Sequence, residues 1–259
     1  MRFFVDQLQR NIQLPEHPMR IVSLVPSQTE LLADLGLEEE VIGITKFCVH
    51  PGEWFRSKTR IGGTKTVNIE LVRTLRPDLI IANKEENVKE QINALEAIAP
   101  VWVSDVNNIN DALQMIESIG RITHKNTEAE RLTARLKDDL AAMAQPKEKI
   151  RTAYLIWKDP YMAAGGDTFI SDVLRLAGFE NVLQSEPRYP SVTPEILREK
   201  ETALVMLSSE PYPFKQKHVD ELQAQLPGAK IICVDGEIFS WYGSRMKYMK
   251  DYIAQLRLS

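Results

Sequence analysis

Short apolar runs alternate with longer amphipathic stretches along most of this chain. The apolar runs, bounded by Gly, Pro or polar residues, predict buried β-strands, and the stretches between them predict helices. Ser27 and Glu30 have the spacing of a capping box at the start of one such helix. Residues 1–19 and 46–66 have no predicted regular element. The predicted strands are residues 20–25, 41–45, 78–82, 101–104, 149–157, 203–207 and 230–234, and the predicted helices are residues 27–35, 68–76, 88–98, 110–122, 127–144, 167–177, 214–226 and 241–256, with another beginning at 194.

The longest predicted helix lies mid-chain, from Thr127 to Ala144. Thr127 and Glu130 have capping-box spacing, and Pro146 follows the helix. Strand–helix alternation restarts after Pro146, so we predict that this helix joins two α/β lobes with mostly parallel sheets; packing on its own domain is the alternative. The predicted organisation is an N-terminal lobe over 1–125, a connecting helix over 126–145 and a C-terminal lobe over 146–259. The apolar stripe of the helix is Leu132, Leu136, Leu140 and Met143.

A weak internal repeat supports two related lobes. Residues 31–38 (LLADLGLE) align with 173–180 (VLRLAGFE) at an offset of 142, and residues 68–72 (NIELV) align with 193–197 (TPEIL) at an offset of 125. The first lobe therefore carries about 17 extra residues, largely the stretch around Cys48. We predict two similar lobes, one with an enlarged loop.

Composition and charge exclude several classes of protein. The chain has 259 residues and a formal net charge of −4, which argues against nucleic acid as the main partner. No apolar run approaches the 18 residues of a transmembrane helix. The first 20 residues lack the basic and apolar regions of an export signal, so a cytoplasmic location stays open. Two cysteines, Cys48 and Cys233, are too few for a disulfide framework.

Familiar catalytic motifs are missing from the sequence, which favours binding over catalysis. It contains no G-x-G-x-x-G, P-loop, H-E-x-x-H, C-x-x-C or G-x-S-x-G pattern, and its four histidines lack metal-ligand spacing. Cys48 and His50 would face the same side of an extended segment, where they could ligate a metal or activate a thiol. A buried apolar Cys beside a His that makes a polar contact is the alternative interpretation.

Aromatic residues collect at predicted strand-to-helix junctions and in loops. Loops at the carboxyl ends of strands are where α/β sheets bind ligands, and aromatic side chains there suit a large, flat, partly apolar ligand. Covering the sheet edges is the alternative role. These residues are Phe47, Trp54, Phe55, Trp157, Tyr161, Tyr189, Trp241 and Tyr242.

Glu70 and Glu195 occupy matching places in the repeat. Asn68 and Thr193 are predicted N-caps, and each glutamate falls in the first turn that follows, where the helix dipole favours a carboxylate. That effect alone explains them. On two quasi-symmetric lobes they would also present matched negative charges to a symmetric basic partner.

The order of these segments resembles one known family. The runs RIVSLVPSQTELLADLGLEEEVIGIT, VNIELVRTLRPDLIIA, AAGGDTFISDVLRLAGFENVL, YPSVTPEILREKETALVMLS and WYGSR, over about residues 20–256, are similar to the cobalamin- and iron-siderophore-binding proteins of ABC importers, the class III periplasmic binding proteins. The resemblance implies two Rossmann-like lobes joined by one long helix, with the ligand in a cleft between lobes. It also implies that a glutamate on each lobe, here Glu70 and Glu195, meets arginines of the two membrane subunits.

The resemblance also implies a ligand-binding set. His50 stands where a tyrosine is usual and Thr64 where a tryptophan is usual, which leaves cobalamin, another corrinoid, a haem-like ring and a ferric siderophore open as ligands. Cys48 and His50 are candidates to approach the metal of the ligand; no metal bound by the protein alone and no intrinsic cofactor are expected. The set is Cys48, His50, Thr64, Trp157, Tyr161, Tyr189, Trp241 and Tyr242.

We therefore predict a non-enzymatic, monomeric solute-binding protein that captures a metal chelate and delivers it to an ABC permease dimer, in the periplasm or cell envelope that the family implies. A cytoplasmic corrinoid or tetrapyrrole carrier or sensor on the same fold is the second hypothesis. An enzyme with Cys48 as nucleophile is the third, for which no base or orienting partner can be named.

Overall fold

The computed structural model describes residues 1–143 and 146–258, and the chain divides into two compact units. Unit 1 holds residues 1–106, 110–136 and 242–245, and unit 2 holds the described residues of 107–109, 137–241 and 246–258. Two short segments, 107–109 and 242–245, thus belong to a different unit from their neighbours in sequence. The predicted domain boundaries are continuous in sequence and stay a prediction.

Unit 1 is built on a sheet of five parallel strands. Across the sheet, the strands are neighbours in the order Thr59–Arg60 (β5), Val41–Ile44 (β4), Ile21–Ser23 (β3), Leu79–Asn83 (β8) and Val101–Ser104 (β9). Strands β3, β8 and β9 are buried along their whole length, as expected for a parallel sheet covered on both faces. The elements up to the middle of the chain are β1 (Arg2–Val5), β2 (Asn11–Leu14), β3 (Ile21–Ser23), α1 (Pro26–Asp34), β4 (Val41–Ile44), α2 (Gly52–Ser57), β5 (Thr59–Arg60), β6 (Gly62–Gly63), β7 (Thr66–Val67), α3 (Ile69–Leu75), β8 (Leu79–Asn83), α4 (Lys89–Glu96), β9 (Val101–Ser104), α5 (Ile109–Ile122) and α6 (Asn126–Ala141).

The N-terminal residues, for which no element is predicted, form the antiparallel hairpin β1–β2. Its turn lies against β9, the last strand of the sheet: Gln7 N donates to Val103 O (3.2 Å) and Arg10 Nη2 to Val101 O (3.0 Å). The hairpin turn therefore protects a sheet edge that would otherwise be open.

Unit 2 carries the second sheet. Four of its strands are parallel: Ile150–Trp157 (β10), Phe179–Asn181 (β12), Leu204–Ser208 (β13) and Lys230–Val234 (β14). The short strand Met162–Ala163 (β11) is antiparallel to β10. The predicted α/β class with two mostly parallel sheets is thus confirmed. The remaining elements are β10 (Ile150–Trp157), β11 (Met162–Ala163), α7 (Phe169–Leu176), β12 (Phe179–Asn181), α8 (Pro194–Glu199), β13 (Leu204–Ser208), α9 (Gln216–Gln225), β14 (Lys230–Val234), α10 (Gly236–Ser240), a 3₁₀ turn (Ser244–Tyr248) and α11 (Met249–Leu258).

Helix α6 is the predicted connecting helix. Its residues through Leu136 belong to unit 1 and those from Lys137 belong to unit 2, so one continuous helix is shared by both. The predicted stripe is only partly correct: Leu136 and Met143 are buried, whereas Leu132 and Leu140 are half-buried. The deepest face also includes Ala129, which lies against Gly120 of α5 so closely that a Cβ at position 120 would collide with it.

Helix α6 begins at Asn126, the first residue of the predicted connecting segment 126–145, so Thr127 lies inside it; the predicted end at Ala144 falls outside the described residues. Two other predicted elements have wrong boundaries. Helix α1 begins at Pro26 without a side-chain cap, so Ser27 is not its N-cap. The final predicted helix over 241–256 is instead a 3₁₀ turn (Ser244–Tyr248) followed by α11 (Met249–Leu258), and Gly243 before the turn has φ +117°. Helix α10 (Gly236–Ser240) precedes this segment and has no predicted counterpart.

The two halves of the internal repeat begin and end their helices in the same way. Asn68 Oδ1 accepts from Leu71 N (3.0 Å) and Thr193 Oγ1 accepts from Ile196 N (3.4 Å), so both predicted N-caps are confirmed. Gly36 and Gly178, which follow α1 and α7, have φ +74° and +75°, a left-handed conformation that glycine adopts without a Cβ penalty.

Candidate functional site

The loops at the carboxyl edge of the unit 1 sheet carry the first half of the predicted ligand set. Because its five strands are parallel, the loops after β4, β5, β8 and β9 leave the same edge. Lys46 N donates to Gly62 O (2.8 Å), and Asn87 Nδ2 donates to Thr64 O (2.9 Å). The loop with Cys48 and His50 is therefore fastened to the loop with Thr64, which is fastened in turn to the β8–α4 loop.

Cys48 points inward from its loop. Its side chain is 0% exposed, and Sγ lies 3.1 Å from Thr29 Oγ1 and 3.1 Å from Thr45 Oγ1. Burial raises the pKa of the thiol, which favours the neutral form. The surroundings match an inert buried cysteine, and nothing in this burial supports the predicted contact with a ligand metal or the role of a nucleophile.

The residues that flank Cys48 point outward. Phe47 is 51% exposed and Val49 is 41% exposed, while His50 is half-buried. The Lys46 ammonium lies 5.1 Å from the centre of the Phe47 ring. The enlarged loop thus presents a cation, an aromatic ring and an imidazole. It is a turn, in which Cys48 N donates to Thr45 O (3.1 Å), and not the expected extended segment; Cys48 lies on its buried side.

The carboxyl edge of the unit 2 sheet carries an aromatic cluster. Trp157 ends β10, is 41% exposed and meets the Tyr212 ring edge-on, with centroids 5.6 Å apart. Tyr212 packs in turn on Phe214 (4.7 Å) and on the His218 ring (5.4 Å). Since this cluster braces one side of Trp157, the other side of the indole faces solvent as a rigid apolar surface.

His218 is buried beneath that cluster. Its Nδ1 accepts from Lys215 N (2.9 Å), and Nε2 lies 3.4 Å from the Tyr212 hydroxyl. Burial, followed by the charge of Lys158, lowers the pKa of His218. The neutral imidazole is therefore the form that the fold accommodates.

Trp241 is held by a carboxylate. Its Nε1 donates to Glu210 Oε1 (2.6 Å), which also accepts from Ser240 Oγ (2.9 Å). Gly236 lets these chains approach, because a Cβ there would lie 2.6 Å from Glu210 Cγ. Trp241 is only 7% exposed, so little of its indole ring is accessible to a ligand.

The predicted tyrosines belong to both units. Tyr161 and Tyr189 lie on neighbouring segments of unit 2, where Tyr161 O accepts from Val192 N (2.9 Å). Both are half-buried, and the Arg188 guanidinium lies 5.7 Å from the Tyr189 ring centre. Tyr242 is 7% exposed and belongs to the unit 1 segment 242–245.

Glu210 and Tyr212 are the residues that the sequence predictions missed. Both follow predicted strand 203–207 in the run SEPYPF, at the carboxyl edge where α/β sheets bind ligands. Their position directly after that strand could have indicated a ligand-binding loop. The contacts of Glu210 with Trp241 and of Tyr212 with Trp157 could not be inferred from the sequence.

Glu70 and Glu195 are each the second residue of a helix, α3 and α8, and both are exposed. Arg73 Nε lies 3.5 Å from Glu70 Oε2 on the same helix. A hydrogen bond from Thr193 lowers the pKa of Glu195, so this carboxylate is charged at neutral pH. Unit 1 and unit 2 thus each carry one exposed carboxylate at the same point of the repeat.

The described residues contain neither a metal-binding cluster nor a membrane-spanning helix. Within 1–143 and 146–258, no three His, Cys, Asp or Glu side chains are grouped so that they could hold a metal ion. Over the same ranges, no helix has the length and apolar character that crossing a membrane requires.

Comparison with known proteins identifies relatives across most of the chain. The family described as "Periplasmic binding protein" matches residues 21–231. The uncharacterized ABC transporter substrate-binding lipoprotein YvrC of Bacillus subtilis is 26% identical over 204 residues, which cover 74% of this chain and 64% of YvrC. The vitamin B12-binding protein of Yersinia pestis is 26% identical over 213 residues, which cover 79% of this chain and 73% of that protein.

A solved structure shares the fold. The periplasmic heme-binding protein HutB of Vibrio cholerae superposes with a TM-score of 0.79 at 21% identity, over 93% of this chain and 99% of HutB. At this identity the likeness is evidence for the fold and not for a common ligand.

Proposed function

This chain belongs to the periplasmic binding protein family, and we propose that it is a solute-binding protein that captures a metal chelate for delivery to an ABC importer. The chelate is a corrinoid such as cobalamin, haem or a ferric siderophore. A relative named for vitamin B12 binding supports this choice of ligand class.

The observation that carries the proposal is the partly exposed aromatic surface at the carboxyl edge of the unit 2 sheet. Trp157 keeps 41% of its surface open although Tyr212 braces it from one side. An immobilised indole offers a large contact area at little cost in side-chain entropy, and it suits the flat face of a macrocycle. On unit 1, Phe47 and His50 supply an aromatic ring and a potential metal contact for the same class of ligand.

The exposed glutamates suit docking to a membrane partner. Glu70 and Glu195 lie at equivalent helix starts on the two units, so a permease dimer with two-fold symmetry would offer each of them the same basic surface. In this proposal the protein acts as a monomer, in the periplasm or cell envelope, and catalyses no reaction.

Titration with chelates tests this function. Cyanocobalamin, cobinamide, haemin and a ferric siderophore are added separately while absorbance and tryptophan fluorescence are followed. We expect one class to bind with a Kd below about 10 µM and to quench tryptophan emission. Trp157→Ala should weaken that binding by about tenfold, because it removes a large aromatic contact.

Phe3→Ala is the matched control, since Phe3 is an exposed aromatic residue on strand β1 of the N-terminal hairpin and is not part of the predicted ligand set. It should bind as the wild type does. Absence of binding to all four chelates, or equal losses in the two variants, would contradict the proposal.

A further inference from the structure

The turn after β4 has two opposite sides. Phe47 and Val49 face outward, whereas Cys48 between them is completely buried. Within the turn the backbone bonds are local: Cys48 N donates to Thr45 O (3.1 Å) and Val49 N to Phe47 O (2.9 Å). These bonds shape the turn but do not connect it to the helix beneath it.

The Cys48 thiol makes that connection. Its Sγ lies 3.1 Å from Thr29 Oγ1 in the middle of α1 and 3.1 Å from Thr45 Oγ1 at the end of β4. Ser23 Oγ, on β3, lies 2.8 Å from the Thr29 hydroxyl. The sulfur atom therefore links the outward-facing turn to α1 and to the end of β4, and Thr29 continues the link to β3.

The thiol has a hydrogen-bonding neighbour on each side. Thr29 Oγ1 lies within donating distance of Cys48 Sγ, Ser23 Oγ and Val25 O. Thr45 Oγ1 accepts from Phe47 N (3.3 Å) and shares a hydrogen bond with Sγ in which either atom can donate. The network therefore uses a hydrogen-bonding group at position 48.

We propose that Cys48 is a positioning residue: its buried thiol holds the 46–50 turn so that Phe47, Val49 and His50 present one fixed surface to the chelate. The inference rests on the proposed function for the role of that surface, and it replaces the predicted contact between Cys48 and the ligand metal. Serine retains both a donor and an acceptor at position 48, whereas alanine retains neither.

Hydrogen exchange of the turn amides, followed by mass spectrometry without any ligand, tests the anchor. In Cys48→Ala the amides of residues 46–50 should exchange about tenfold faster than in the wild type, because local opening no longer breaks the thiol bonds. The amides of β8 should be unchanged. Cys48→Ser should return exchange toward the wild-type rate, and Cys233→Ala, which removes the exposed cysteine, should have no effect.

Unchanged exchange of the turn in Cys48→Ala, or a uniform increase over the whole chain, would overturn the anchor. Should Cys48→Ala fail to fold, Thr29→Val replaces it, since valine keeps the shape of threonine but removes the hydroxyl partner. Unchanged exchange of the turn in Thr29→Val, or a uniform increase over the whole chain, would then overturn the anchor.

Binding of haemin and cyanocobalamin to the same variants tests the positioning role. Where the wild type binds either probe, Cys48→Ala should weaken it by about fivefold or more and alter the spectrum of the bound chelate, and Cys48→Ser should restore both. Wild-type affinity in Cys48→Ala would overturn positioning. Failure of the wild type to bind either probe counts against the proposed function, while the exchange measurement still decides the anchor.

Discussion

Among single residues, burial divides the predicted ligand set. Cys48 is fully enclosed, and Trp241 and Tyr242 are nearly so, whereas Trp157 remains open and His50 is half-buried. The sequence placed all of them near strand ends, but a strand end does not specify which way a side chain turns. The enclosed residues shape and hold the loops, and the open ones are the contacts that a ligand would meet.

His218 should make the stability of unit 2 depend on pH. Burial lowers its pKa in the folded state, so the unfolded chain takes up a proton more readily as pH falls. The stabilisation of the folded state by neutral His218 is fully present above about pH 6.5, the ordinary pKa of histidine, and is lost progressively as the pH falls below it. Urea unfolding of the wild type and of His218→Gln between about pH 7.5 and 5 measures the effect.

The free energy of unfolding should fall less steeply with acid in His218→Gln than in the wild type. The groups around the ring are Lys158, Lys215, Lys217 and Glu221, all unchanged in the variant. Parallel pH profiles would show that His218 is not the group responsible.

At the scale of elements, helix ends were predicted well where a side chain or a glycine completes them locally. Asn68 and Thr193 cap α3 and α8 as expected, because an N-cap needs only an oxygen two or three residues before its donor. The capping-box patterns at Ser27 and Thr127 were misleading. Ser27 and Glu30 are buried against other elements, and Glu30 forms a bidentate ion pair with Arg245 (2.7 and 2.8 Å).

Alanine substitutions at Gly36 and Gly178 distinguish the cost of a left-handed backbone from the cost of crowding a side chain. Their φ angles are nearly equal, so alanine at either site should cost about 1 kcal/mol for the left-handed conformation. A Cβ at Gly36 would meet only Lys125 Nζ at 3.9 Å, but one at Gly178 would collide with Pro146 and Arg257. Gly178→Ala should therefore lose a further 1–3 kcal/mol or so through overpacking.

Thermal and urea unfolding of the two alanine variants measures this difference, with each glycine site serving as the control for the other. Equal destabilisation by Gly36→Ala and Gly178→Ala would mean that the neighbours of Gly178 move aside at no cost.

For the whole molecule, the two units share an α/β plan, and residues of one continuous helix are divided between them. Residues 107–109 and 242–245 each belong to the unit opposite to that of the flanking chain. The exposed carboxylates Glu70 and Glu195 are outside these segments, on helices that begin at equivalent points of the repeat. Their proposed role concerns a partner and not the fold.

Reversing those charges tests docking. Glu70→Arg and Glu195→Arg should each reduce uptake of the bound chelate by about tenfold or more in cells that carry the partner ABC permease, because a basic docking surface would now meet a like charge. The double variant should abolish uptake. Chelate affinity should stay within about twofold of the wild type, since both side chains are exposed and neither belongs to the predicted ligand set.

Glu128→Arg is the matched control for docking, because Glu128 is also an exposed carboxylate in the first turn of a helix. It should support full uptake. Normal uptake by the double variant, or the same loss in Glu128→Arg, would contradict a specific docking role.

The sequence by itself determined the order of the longer strands and helices, the two-lobe α/β plan, the caps at Asn68 and Thr193 and the turns at Gly36 and Gly178. Each of these follows from residues within a few positions of one another, through apolar periodicity, capping and glycine geometry. It did not predict the short elements α2, β5, β6 and β7 within residues 46–66.

Only the tertiary structure decided which distant groups meet. Cys48 meets Thr29 across 19 positions, Trp241 meets Glu210 across 31, and Arg245 meets Glu30 across 215. The N-terminal hairpin, the buried thiol and the clamped indole all depend on such pairs. A single sequence does not record them, because their energy arises only when the chain has brought the partners together and removed the water between them.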